Sequence, residues 1–227
     1  MCYSIMVEED LQKLAMTFDA VIREDAFTRY EILTRKDPGR FKPLADHPRI
    51  FPRYFAPLIL RQKDQRSILP MRYRIRPAGS AEEVPSKYNM FNARMDALHS
   101  RQTWRRLFGR QHGILAARAF YEWVPGPGGK KKVICFRPSD DRLFKAPALY
   151  DLWVSPAGDE AWGSFAIITT DPPEEVRAAG HDRCPVFIKQ KNIDAWLDPG
   201  QQSLRELQNL LADGEEVRWV HEDATPG

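Results

Sequence analysis

Apolar residues recur at helical spacing near the amino terminus and at strand spacing through the second half of the chain. Val7, Leu11, Leu14, Ala15 and Phe18 predict a helix over 7–18, and Val21, Phe27, Tyr30 and Leu33 a second over 20–35, so the amino terminus is expected to precede a helical arm. From 37 to 57, Pro38, Pro43, Pro48, Pro52 and Pro57 exclude long regular elements. That stretch reads as a wrapping loop, followed by a short edge strand near 58–61. A basic, strand-like segment at 68–76 and a loop from Pro77 to Pro85 lead to Tyr88-Asn89-Met90-Phe91-Asn92 and a helix over 96–108.

Beyond that helix the pattern shortens. Apolar or alternating runs at 113–124, 132–137, 143–153 and 164–170 are broken by Gly126-Pro127-Gly128-Gly129 and Pro156-Ala157-Gly158-Asp159, and read as antiparallel strands joined by hairpins. Asp171-Pro172-Pro173-Glu174-Glu175 looks like a helix start with Asp171 as N-cap, and Gly180 lies just past its end. A strand at 184–188, helices at 191–197 and 202–212 and a strand at 215–220 complete the series. Nothing alternates as βαβ units. The expectation is an α+β fold, one domain over 1–227, with a mostly antiparallel, curved or barrel-like sheet and peripheral helices.

Composition narrows the class further. The first twenty residues carry Glu8, Glu9, Asp10, Lys13 and Asp19, which argues against a signal peptide, and no apolar run is long enough to span a bilayer; a cytoplasmic protein without membrane contact is expected. Cys2, Cys135 and Cys184 are an odd set without a CxxC pair, so they read as free thiols; no metal and no cofactor are expected. The net charge of +3 is mild, but its distribution is not. Between 61 and 110 twelve basic residues face four acidic ones, with Tyr73, Tyr88, Phe91, Trp104 and Phe108 among them. This mixture suits a groove that tracks phosphates and stacks bases, or equally a solvated face whose aromatics turn to the core.

Cys2 directly follows the initiator methionine, and a small residue there normally permits removal of Met1. The new terminus then carries an amine and a thiol on adjacent carbons. The reference α-amine titrates near pKa ~7.7 to 8.0 and the thiol near ~8.5, against ~10.4 for lysine, so both are partly deprotonated at neutral pH. Such a pair condenses with an aldehyde to an imine and then closes to a thiazolidine. Three segments place polar groups in apolar frames that such chemistry needs: Phe91-Asn92-Ala93-Arg94, Phe120-Tyr121-Glu122-Trp123 and His181-Asp182-Arg183-Cys184-Pro185. Strand alternation puts Glu122 on the side of Phe120, where a carboxylate among apolar neighbours suits proton transfer or pairs with an arginine. His181 stands in a loop, and imidazole is the side chain that titrates nearest physiological pH. Asn92 orients an amine or hydroxyl, or caps a turn.

The order and separation of these segments, with the initial Met-Cys, Ile168-Thr169-Thr170 and Ala148-Leu149-Tyr150-Asp151-Leu152-Trp153, resemble the SOS-response-associated peptidase family, SRAP, whose members process abasic sites. The likeness runs from residue 2 to about 197. It implies that the Cys2 amine attacks C1′ of a ring-opened abasic sugar in single-stranded DNA and that its thiol closes a thiazolidine crosslink. It further implies catalytic roles for Asn92, Glu122 and His181, phosphate contacts from Arg94, Arg101 and Arg183, lyase activity and self-removal of Met1. The implied protein is a monomer that joins the nucleoid when bound to damaged DNA. Three features depart from the family's pattern: Tyr3 and Ser4 replace a Gly-Arg pair, Phe55 stands where an Asn is usual, and a polar loop at 78–87 replaces a tryptophan-rich wedge. Arg72, Arg74 and Arg76 are the residues expected to compensate. The competing readings are an amino-terminal-nucleophile cysteine amidohydrolase and a non-catalytic single-strand DNA-binding module.

Overall fold

Residues 3–42 and 48–225 are described by a computed structural model, Pro127 by its backbone alone; Met1 and Cys2 lie outside the described residues. The chain runs β1 (Ser4–Val7), α1 (Leu11–Phe18), β2 (Ala20–Ile22), α2 (Glu24–Lys36), β3 (Arg49–Ile50), β4 (Phe55–Gln62), β5 (Gln65–Tyr73), β6 (Asn92–Arg94), α3 (Gln102–Leu107) and β7 (His112–Pro125). It continues through β8 (Lys131–Pro138), β9 (Phe144–Val154), β10 (Ala161–Thr170), α4 (Glu174–Ala178), β11 (Cys184–Pro185), α5 (Ile193–Leu197), α6 (Leu204–Ala212) and β12 (Trp219–Asp223).

The first described element is thus a strand, and the two expected helices follow it but start later than predicted, at Leu11 and Glu24. Ile5 and Val7 alternate into the core with the period of a strand, and Asp10 sets the helix start by accepting the Lys13 backbone N–H at 3.0 Å. Val7 therefore faces inward as a strand residue. β1 lies antiparallel between β7, with Ser4 opposite Tyr121, and β3, with Ile5 opposite Ile50.

β10 pairs with β5, β5 with β4, β4 with β7, β7 with β9, and β9 again with β10, which closes a five-stranded barrel. The short edge strand expected near 58–61 is in truth β4, a full barrel strand. Pro57 is tolerated because it sits opposite Pro70, a pair in which neither residue needs to donate across the β4–β5 ladder. On the outer side of β4, pairing with β7 reaches only Ile59 and Leu60. On the outer side of β5, Pro70 falls between the stretch paired with β2, which ends at Ile68, and that paired with β10, which begins at Arg72. Both missing donors therefore fall in gaps.

Alternation along the strands divides the apolar residues into two layers. Leu58, Leu60, Leu115, Ala117, Phe165 and Ile167 fill one cluster with residues of β1 and β8, while Ile59, Ile68, Ile114 and Ile168 pack outward on Leu14, Phe18, Trp196 and Leu207 of the helices. Gly113 is required where these layers meet: a Cβ there would lie 2.7 Å from Leu60 Cδ2 and 2.8 Å from Leu58 Cδ2. Its carbonyl accepts the Trp196 indole N–H at 2.9 Å, and Trp196 stacks on His112 with ring centroids 3.8 Å apart.

His112 is locked in one tautomer by these neighbours. Its Nδ1 donates to the Trp196 carbonyl at 3.0 Å and its Nε2 accepts the Gly109 N–H at 2.9 Å, so a second ring proton would meet a donor. Burial holds its pKa down at about 3. The unfolded imidazole takes up a proton near pH ~6.5, so the contribution is complete above that value and is lost as pH falls towards about 3. Urea denaturation is expected to show a loss of about 2 kcal/mol between pH 7 and 5 from this residue, and His112→Phe to flatten that dependence.

Candidate active site

β10 ends between two short strands, and this fork assembles most of the residues singled out in the sequence. On one edge β6 runs parallel to it, with Asn92 beside Ile167 and Arg94 beside Thr169; on the other, β11 pairs Cys184 with Thr170. Ala93 points into the core, so Asn92 and Arg94 face the opposite way. The chain ahead of β11 carries His181, Asp182 and Arg183. A hollow of about 440 Å³ is lined by Asn92, Arg94, Arg101, Trp104, Thr169 and Arg183, and a second of about 500 Å³ by Asp171, Arg177, Gly180, His181 and Arg183. Arg183 is common to both.

His181 reaches this place through a tight helix ending. α4 begins after Pro173, not at Asp171 as expected, and Asp171 instead accepts from Arg183 Nη1 at 2.5 Å. At the other end Gly180, with φ +98°, donates to the Arg177 carbonyl at 2.9 Å, and the His181 N–H donates to the Val176 carbonyl at 3.2 Å. These two bonds form a Schellman ending, with glycine in the left-handed position that the turn needs.

From there the His181 ring meets Glu122, which β7 delivers. His181 Nε2 lies 3.0 Å from Glu122 Oε2, with both side chains buried. Its Nδ1 lies 2.9 Å from the Arg183 carbonyl oxygen and 3.2 Å from the Arg183 N–H. A neutral ring that donates to Glu122 can accept from the Arg183 N–H, and an imidazolium can donate to both Glu122 and the Arg183 carbonyl. Each protonation state therefore has a complete set of partners, which suits a group that takes up and releases a proton.

Asn92 is equally well held. The Asn89 side-chain oxygen accepts the Phe91 and Asn92 backbone N–H groups, both at 3.1 Å, in an Asx turn that starts β6. The buried Tyr73 hydroxyl donates to Asn92 Oδ1 at 3.2 Å and so fixes the orientation of the amide. Neither Tyr73 nor Asn89 stood out as a site residue in the sequence. Asn89 was legible from its spacing ahead of a strand, whereas Tyr73 meets its partner only through the sheet.

The wider basic stretch behaves differently from expectation. Arg72, Arg74 and Arg76 are buried and converge on Glu83, the first at 2.7 Å, so they cannot serve a DNA strand in place of the altered residues. The Arg72 guanidinium lies 4.0 Å from the Trp162 ring and that of Arg76 3.5 Å from the Trp153 ring. Burial lowers the Arg72 pKa to about 10, with Glu83 opposing the shift. The polar loop 78–87 is thus tied down from within. Tyr73, Trp104 and Phe108 also turn inward, whereas Tyr88, Arg94 and Arg101 stay exposed. Arg94 pairs with the exposed Asp96. The Cys184 thiol is buried, and burial followed by the charges of Glu122 and Glu175 pushes its pKa up, so it is no ready nucleophile. No helix is long and apolar enough to cross a membrane among the described residues.

The family model described as SOS response associated peptidase (SRAP) matches residues 1–223, and the chain belongs to that family. It is similar to the abasic site processing protein HMCES of Gallus gallus, 26% identical over 209 residues, covering 80% of this chain and 61% of the relative. It is also similar to the abasic site processing protein YoqW of Bacillus subtilis (strain 168), 31% identical over 131 residues, covering 58% of each. The matches thus span about three fifths of the length of these curated relatives. A crystal structure of a protein from Bacteroides thetaiotaomicron shares the fold, with TM-score 0.73, 21% identity and coverage of 98% of this chain and 91% of the other. Another from Bordetella bronchiseptica does so with TM-score 0.70, 22% identity and coverage of 99% and 100%.

Two substitutions test how the site is held. Glu83→Ala removes the shared partner of three buried cations and is expected to cost about 3 kcal/mol in thermal or urea unfolding, against almost nothing for the exposed Glu82→Ala. Gly180→Ala forces an L residue to φ +98° and is expected to cost about 1 to 2 kcal/mol.

Proposed function

We propose that this protein processes abasic sites in single-stranded DNA by forming a covalent link through Cys2. The observation that carries the reading is the buried Glu122–His181 pair, beside the strand that leads directly from the amino terminus. Ser4 is opposite Tyr121, one residue from Glu122, and two peptide units separate Ser4 from Cys2, a reach of at most about 7 Å. That length of chain supports a Cys2 amine served by a carboxylate and an imidazole able to move protons.

In this reading the amine adds to C1′ of the ring-opened sugar. The carbinolamine loses one water to give an imine, and the thiol adds across the C=N bond to close the thiazolidine without further loss. His181 protonates the sugar ring oxygen as the ring opens, and Glu122 relays the protons of addition and dehydration. The Asn92 amide, oriented by Tyr73, holds the amine and sugar in register, which turns a slow encounter into an intramolecular step. Arg94, Arg101 and Arg183 take the flanking phosphates along the cleft that they line. The same imine is the species from which β-elimination would cleave the strand, and the same Glu–His pair is suited to hydrolytic release of Met1. We take the working protein to be a monomer without metal or cofactor.

The test is incubation with a single-stranded oligonucleotide carrying one abasic site, followed by a denaturing gel. The unsubstituted protein is expected to give a heat-stable shifted band and Cys2→Ala none. Glu122→Gln and Asn92→Ala are expected to slow its appearance by about a hundredfold or more. Arg94→Ala and Arg183→Ala are expected instead to weaken binding to any single strand and to reduce the salt slope by roughly one each at most. An undiminished band with Cys2→Ala would refute the reading.

A further inference from the structure

Beside the amino terminus the structure presents an aromatic ridge. Tyr3, the residue after Cys2, is 45% exposed and meets Phe51 edge-on, with ring centroids 5.7 Å apart, and Phe51 in turn meets Tyr54 at 5.7 Å. No aromatic ring stacks face to face on Tyr3 among the described residues, so its ring remains available to a flat partner. Arg49 braces the ridge from below: its guanidinium lies 5.2 Å from the Phe51 ring and 3.7 Å from the Tyr121 ring, and its Nε donates to Ser4 Oγ at 2.9 Å.

Arg53 lies between Phe51 and Tyr54 in the chain. It is exposed, without an acidic partner among the described residues, and its backbone stands at φ +85°, a conformation costly for a residue with a side chain. Its N–H donates to the Tyr73 carbonyl at 2.6 Å, and the Tyr54 carbonyl accepts the Tyr73 N–H at 2.7 Å. The ridge is thereby joined through Tyr73 to Asn92. An exposed aromatic ring next to the reactive terminus has the chemistry that receives a nucleobase.

We propose that Tyr3, supported by Phe51 and Tyr54, is a stacking platform for the nucleobase next to the abasic site. An abasic position removes one base from the stack of a single strand and leaves its neighbour with an uncovered face. Tyr3 supplies the cover and so holds the lesion in register with Cys2. The inference rests on the reading of the site as one for abasic DNA, and it explains why a bulky aromatic follows the reactive cysteine.

The experiment uses the full chain and an oligonucleotide in which 2-aminopurine flanks a tetrahydrofuran abasic analogue, which cannot crosslink. Binding is followed by titration, and stacking by quenching of the 2-aminopurine fluorescence. The expected result is quenching by the unsubstituted protein and by Tyr3→Phe, with affinities within about twofold, and for Tyr3→Ala a loss of quenching with affinity about tenfold weaker. Equal quenching and affinity with Tyr3→Ala would overturn the proposal, as would a Tyr3→Phe variant as weak as Tyr3→Ala. Because the analogue is unreactive, the readout is separate from the crosslink. A protein that quenches but forms no covalent band keeps the platform and loses the proposed function, and one that crosslinks without quenching does the reverse.

Discussion

Strand β7 runs for fourteen residues and changes neighbours along its length, pairing first with β4 and β9 inside the barrel and then with β1 and β8 beyond it. Glu122 lies where β7 outruns its barrel partners β4 and β9 and pairs instead with β8, beside the stretch that pairs with β1. The same overrun is the edge on which β1 docks, so one length of backbone governs both the carboxylate and the direction of the amino terminus. The Schellman ending at Gly180 then brings His181 to within 3.0 Å of Glu122 from the far side. The site follows from where three elements stop: β7, α4 and the β6–β10–β11 fork.

Charge is distributed by a comparable economy of place. Three arginines on alternate positions, Arg72, Arg74 and Arg76, sink into the protein around one carboxylate and two tryptophan faces, an arrangement whose Coulomb gain is spent largely on desolvation. Their product is a fixed loop rather than a binding surface. The cations left at the cleft, Arg94, Arg101 and Arg183, are fewer than the composition suggests, and two of them already hold exposed carboxylates. Under the proposed function an incoming phosphate competes with Asp96 and Asp171 for these arginines, which tempers affinity and makes it sensitive to salt.

Much of this was legible in the sequence. The strands over 113–124, 132–137, 143–153 and 164–170 and the helices over 191–197 and 202–212 follow from short-range periodicity, and the structure has each of them. Glu122 and His181 were each singled out in an apolar frame, but their joint role came only from the family resemblance, and their contact is seen in the structure alone. The failures share a physical cause. Val7 reads equally as the first turn of a helix or the end of a strand until Asp10 caps α1, and Pro57 reads as a breaker until Pro70 faces it across the sheet. Arg72, Arg74 and Arg76 look like a DNA-facing row because nothing local announces that Glu83, Trp153 and Trp162 will close over them. Tyr73 was seen only as one aromatic among charges, since its hydroxyl gains meaning from a strand contact with Asn92. Except at Val7, whose deciding neighbour Asp10 is three residues on, the deciding partner lies on another strand or loop.

The chemistry proposed for the terminus makes a claim about atoms. Imine formation expels one water, and closure of the thiazolidine consumes the C=N bond without changing the mass, so the final adduct should resist reduction. Intact mass spectrometry of the covalent species, taken before and after borohydride, is the most direct measurement. The account predicts a mass equal to the chain lacking Met1 plus the abasic strand less one water, unchanged by borohydride. An adduct that retains Met1, or one that gains two hydrogens on reduction, would contradict it.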